Sequence, residues 1–88
     1  MKGYDIMKVY IVIDNTEDFS SETVGIYSTK EKAIGSAIRY AESIGLFEDA
    51  VEEGDYNTIE AAKKDFKKYL YDSYNSSIVI EEYEIDKE

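Results

Sequence analysis

The chain contains no histidine, no cysteine, no tryptophan and no proline in its 88 residues. Each absence removes a class of chemistry. Without cysteine there is no disulfide scaffold, no thiolate metal site and no cysteine nucleophile. Without histidine, a general base has to be a carboxylate, a lysine or a tyrosine. The five glycines are scattered, so no Gly-rich phosphate-binding loop is present. Positive charge is also scarce. Ten Lys and Arg stand against twenty Asp and Glu, a formal net charge of −10. That lies beyond the magnitude of about 2–8 that suits a small soluble domain. Such a surface repels nucleic acid and anionic membrane and attracts cationic protein surfaces. No apolar run approaches the roughly 18 residues of a membrane span, and Met1 to Ile6 lacks the apolar core of a signal peptide. A soluble, cytoplasmic protein is expected.

What is present is enough for one fold. A chain of this length buries roughly 60% of its unfolded surface and holds a single modest core. Its hydrophobic share of 43%, with 14% aromatic, is that of a globular domain in spite of the charge. Residues 7–88 read as that domain. Residues 1–6 have no pattern of their own, and the codons for Met1-Lys2-Gly3 contain a purine-rich run resembling a ribosome-binding site. They are expected to be a translated leader or disordered extension, with Met7 as the natural start.

Met7 to Asp14 alternates as a strand, with Val9, Ile11 and Ile13 on one face and Tyr10 and Val12 on the other. A strand apolar on both faces belongs at the centre of a sheet. Asn15 to Ser21 is polar and turn-like, and Glu22 to Tyr27 is a second strand with Val24 and Ile26 on one face, so the two form a hairpin with a long acidic loop. Ser28-Thr29-Lys30-Glu31 reads as a capping box with Ser28 as the cap. It opens a helix that runs to about Ile44, with Gly45 as its left-handed terminator. Ala33, Ile34, Ala37, Ile38, Ala41 and Ile44 form its apolar stripe. Leu46 to Asp55 is a connection in which Phe47 to Val51 has helical potential. Asn57 or Thr58 caps a second helix with Ile59, Ala62, Phe66, Tyr69 and Leu70 as its stripe and Lys63, Lys64, Lys67 and Lys68 toward solvent. Ile78 to Ile85 is the third strand. The fold class is α+β, a two-layer β-β-α-α-β arrangement. Its three-stranded, mainly antiparallel sheet has the first strand central and helices on one face.

The chemistry available to this chain argues for binding rather than catalysis, and no enzyme activity is expected. Asp14, Thr16, Asp18, Ser20 and Glu22 imitate a calcium loop. However, Phe19 stands where its glycine belongs and Gly25 where its bidentate glutamate belongs, so no metal and no cofactor is assigned. The carboxylates concentrate in the hairpin loop, in the connection from Glu48 to Asp55, and along the last strand from Glu81. A protein can place carboxylates where phosphates would sit and so occupy a nucleic-acid-binding groove on a partner. The lysine quartet balances neighbouring acids, and direct nucleic-acid binding is not expected. Nine tyrosines is a high count. Tyr10, Tyr27 and Phe66 are assigned to the core or its margin, whereas Phe19, Tyr56, Tyr71 and Tyr74 suit either an interface or the scaffold.

Met7-Lys8-Val9-Tyr10-Ile11-Val12, the run Ser28-Thr29-Lys30-Glu31-Lys32-Ala33, and Glu82-Tyr83-Glu84-Ile85-Asp86 together resemble a family of small phage and bacterial proteins of unknown function. That family pairs a hairpin, a helix start of this type and a C-terminal strand ending in aspartate. The resemblance implies no activity. It implies a phage or mobile-element setting in a bacterial host, where many small acidic proteins inhibit defence systems; anti-CRISPR proteins are an analogy.

The leading expectation is therefore a non-enzymatic acidic protein-binding domain, a phage-type inhibitor that blocks the basic surface of a host nucleic-acid-binding defence protein by charge mimicry. The residues assigned to that contact are Asp14, Glu17, Asp18, Glu48, Asp49, Glu52, Glu53 and Asp55, with Tyr56 as anchor. The alternative is a small structural module that forms a homodimer through an exposed sheet face bearing Tyr10, Val12 and Tyr83.

Overall fold

A computed structural model describes residues 5–17, 20–71 and 77–87. The chain runs through strand β1 (Asp5–Asp14), strand β2 (Glu22–Tyr27), helix α1 (Lys30–Ser43), helix α2 (Leu46–Glu52), helix α3 (Ile59–Lys68) and strand β3 (Ile78–Lys87). The sheet order is β2-β1-β3 with both pairs antiparallel, so the fold is α+β with the first strand central. The connection between the expected helices forms a helix of its own, which makes the order β-β-α-α-α-β. Strand β1 starts at Asp5 and pairs with Lys87, so Asp5 and Ile6 of the expected leader take part in the ladder.

Cap chemistry sets the helix boundaries. Thr29, in extended conformation, accepts from the Lys32 amide at 3.2 Å and is the cap of α1 in place of Ser28. Thr58 does the same for α3 through the Ala61 amide at 3.1 Å. Gly45 turns the chain out of α1 at φ 75°, a conformation that costs a side-chain-bearing residue about 1–2 kcal/mol, and leads directly into α2.

The helices cover the sheet face opposite to the one the bulkier alternation suggests. Val12 is fully buried, and its cross-strand partners are Gly25 and the buried Ile80. Asp14, opposite the buried Ile78, shares that face. Ala33, Ala37 and Ala41, all without exposed surface, let α1 lie close against it. The Tyr27 hydroxyl and the Ser36 hydroxyl, 2.6 Å apart, tie the end of β2 to the middle of α1. Gly25 makes room for this contact, because a Cβ there would come within 2.4 Å of the Tyr27 hydroxyl. Phe47 and Phe66 meet edge to face at 5.1 Å and join α2 to α3, and Lys63 reaches Glu42 at 2.5 Å, joining α3 to α1. Lys63 is therefore half-buried and engaged, whereas Lys64, Lys67 and Lys68 are exposed.

Tyr10 and Val12 accordingly belong to the covered face, which removes them from any exposed dimerisation surface. Tyr83 pairs with Val9 and lies on the opposite face. The open face carries Val9, Ile11 and Ile13 of β1, flanked by Ile26, which is 61% exposed, and by Tyr83 and Ile85, each 48% exposed. Val24 and Ile26 also part company. The register of β2 slips between Gly25 and Thr23, leaving Val24 as the extra residue of a bulge. Val24 packs against the core cluster while Ile26 stays outside. A period-two reading places both on one face because a bulge leaves no mark in the alternation.

Candidate functional site

Two of the three acidic segments of the sequence meet, through the hairpin loop and Asp49. The end of β1, the hairpin loop, the start of β2, the end of α1 and the first turn of α2 together line a cleft of about 370 Å3. Asp14, Glu17, Glu22 and Asp49 supply its carboxylates, and Tyr40, Ile44 and Leu46 supply its ring and aliphatic surface. Among the described residues that line it, none is basic. The volume is within the range of ordinary ligand sites, roughly 300–1,000 Å3.

Asp14 is the structural root of this cleft. It is only 8% exposed. The Thr16 amide donates to one of its oxygens at 2.8 Å and the Thr16 hydroxyl donates to the same oxygen at 2.6 Å. The Tyr40 hydroxyl, from α1, donates to the other. Burial pushes the Asp14 carboxyl up, but the hydrogen bonds from Thr16 and Tyr40 outweigh it and hold the group below its ordinary 3.8. The same bond, with burial and the charges of Asp14, Glu22 and Glu17 behind it, pushes the Tyr40 phenol up to about 12. Asp14 thus spends its acceptors inside the protein and contributes charge to the cleft, while Glu17, Glu22 and Asp49 are exposed and present theirs to solvent.

The other assigned residues are distributed elsewhere. Glu48, one position from Asp49, is on another side of α2, in a shallow groove with Glu42, Phe47 and Ile59. Glu52, Glu53 and Asp55 are exposed at and beyond the end of α2, where carboxylates sit unfavourably against the helix dipole. Tyr56 is half-buried and donates to Asp65 of α3, which also raises its pKa. It lines a separate small cleft with Phe47, Phe66 and Tyr69, so it braces the α2–α3 contact rather than anchoring the acidic cleft. Asp18, Phe19 and Tyr74 lie outside the described residues. Tyr71 sits beneath the Lys30 ammonium, 5.1 Å from its ring centre, and remains 41% exposed.

Sequence reasoning missed Tyr40, Ile44 and Leu46. Tyr40 falls off the apolar stripe of α1, and its spacing from Asp14 carries no signal. Ile44 was assigned to the stripe but is 42% exposed at the helix end. Among the described residues, no group of three or more acidic side chains is placed to hold a metal ion, and no helix is long and apolar enough to cross a membrane.

Residues 7–55 match a family described as a domain of unknown function, DUF7336, and the chain belongs to that family. The match covers β1 from Met7 onward, β2, α1 and α2, and so takes in every residue lining the acidic cleft. No curated protein and no solved structure matches the chain.

Proposed function

We propose that this chain is a non-enzymatic, acidic protein-binding domain that presents its cleft to a basic protein surface. One observation carries the reading. Acids far apart in sequence, from the hairpin loop and from α2, line a single cleft with no basic residue among its described lining. A Lys or Arg side chain entering the cleft would lay its aliphatic stem along Ile44 and Leu46 and bring its charged head among Glu17, Glu22 and Asp49. In its specific form, the partner is a nucleic-acid-binding protein in the cytoplasm of a bacterial host. The domain then occupies the phosphate-contacting surface of that partner and inhibits it, a defence nuclease being one such target. The net charge of −10 supports fast, salt-sensitive association with such a surface.

The test is a titration with a fluorescent arginine-rich peptide. Saturable binding is expected, weakening by about tenfold or more as salt rises from about 50 to about 300 mM. The triple variant Glu17→Lys, Glu22→Lys, Asp49→Lys is expected to lose it while keeping its circular dichroism spectrum, because all three side chains are exposed. Binding that survives charge reversal, or that ignores salt, overturns the proposal.

A further inference from the structure

We propose that the open face of the sheet is the interface of a homodimer, in which two copies pack face to face into a sandwich. The face is built for burial. Val9, Ile11 and Ile13 run along its central strand, flanked by Ile26 on one side and by Tyr83 and Ile85 on the other. This is a mainly apolar surface, interrupted by Glu81 and Thr23, on a chain in which 34% of residues are charged. Among residues with described side chains, Glu81 is its lone carboxylate, opposite Ile11, and it accepts the Tyr83 hydroxyl at 2.6 Å. That bond gives the carboxylate one donor, and its remaining charge is a cost that covering the face must offset.

Charge identifies the occupant. The remaining described acids of the strands and helices lie on the helix side of the sheet, on the helices or in the loops, so a basic partner is drawn there and not to the open face. A second copy brings the same mainly apolar surface with a single carboxylate, and face-to-face packing keeps the two strongly acidic sides turned away from each other. Edge-to-edge association offers no such relief. Ile80 donates outward from β3 to the Leu70 carbonyl at 2.7 Å, which sets the outward-facing backbone groups at even positions. Glu82 and Glu84 follow along that edge, and two such edges would bring like charges together.

The area fits as well. Three strands about 4.8 Å apart and seven residues long make a plane of about 350 Å2 per copy. With its side chains interdigitated, a pair approaches the roughly 1,000 Å2 of a modest specific interface. Aligned sheets about 10 Å apart are the ordinary way to reach it.

Light scattering and sedimentation between about 5 and 500 μM test the proposal. A reversible dimer is expected whose population holds or grows as salt rises, the opposite of the cleft's response. The double variant Ile26→Lys, Ile85→Lys replaces two side chains that are about half exposed or more, so it keeps the monomer fold by circular dichroism. It is expected to be monomeric throughout the range. A wild-type chain that stays monomeric, or one that stays monomeric while its open face binds an apolar dye or vesicles, overturns the proposal. So does a dimer that survives the double substitution. None of these results touches the cleft, and loss of peptide binding in the cleft variant leaves the dimer unaffected.

Discussion

The two faces of one three-stranded sheet both carry branched aliphatic side chains, but they are fastened differently. On the covered face the contacts are small and exact in placement: alanines from α1, a glycine on β2, and two tyrosine hydroxyls that reach Ser36 and Asp14. On the open face the aliphatic side chains meet no helix, and the polar contact there is the Glu81–Tyr83 pair. Hydrophobic bulk does not decide which face a helix covers. Helices choose the face they can approach closely and fasten to, because packing and satisfied polar contacts both depend on short distance.

The sharpest way to break this comparison is to truncate one isoleucine on each face and measure urea unfolding below the concentration of any self-association. Ile80→Ala, on the covered face and 3% exposed, is expected to cost about 2–5 kcal/mol. Ile26→Ala, on the open face, is expected to stay within about 0.5 kcal/mol. Equal losses would mean that the open face is already buried within a single chain.

A smaller effect separates the tyrosines. Tyr40→Phe removes the donor to a buried carboxylate and is expected to cost about 1–3 kcal/mol, whereas Tyr83→Phe leaves the unfolding midpoint unchanged. The pH profile identifies the cause. The Tyr40 phenol is raised above its ordinary 10.0, so its contribution is full below pH 10 and is lost as pH rises through about 12. The Asp14 carboxyl is lowered below 3.8, so its contribution is present above pH 3.8 and is lost as pH falls through the lowered value. In Tyr40→Phe the alkaline loss between pH 10 and about 12 should flatten and the acid loss should shrink, because without the Tyr40 bond the Asp14 carboxyl is held less far below 3.8. An unchanged profile would show that the bond is not formed.

The smallest effect concerns Gly25. Gly25→Ala is expected to cost about 1 kcal/mol, because the new methyl displaces the Tyr27 ring and with it the hydroxyl contact to Ser36. Thr23→Ala, on the same strand but opposite Ile13, should cost less. The order reverses if Tyr27 can swing aside and re-form its bond.

Much of the fold was legible in the residues. Strand β2 falls where alternation places it, and β1 is central because both of its faces are apolar. Gly45 terminates α1 as its position suggests, and Thr58, one of two expected caps, opens α3, whereas α1 opens on Thr29 and not on Ser28. What stayed hidden has a common physical origin. The choice of face, the bulge at Val24, and the meeting of Tyr40 with Asp14 are all settled by contacts between elements, and none has a period along the chain. The same holds for the cleft. Glu17 and Asp49 were named from local acidity, but Glu48 and Asp49 are equal in the sequence and part only when α2 forms as a helix. Tyr56 beside a run of acids reads as an anchor at a binding surface. Its position relative to Asp65 becomes visible only when α2 packs on α3.

The contact between Asp14 and Tyr40 has a bearing on how this protein can be controlled. With the carboxyl held below its usual range and the phenol proton held until about pH 12, the pair keeps one negative charge throughout the conditions a cell experiences. The chain carries no histidine to titrate near neutrality. The root of the cleft is therefore a fixed electrode rather than a sensor. Ionic strength and competing cations can screen it, but a change in cellular acidity cannot switch it off.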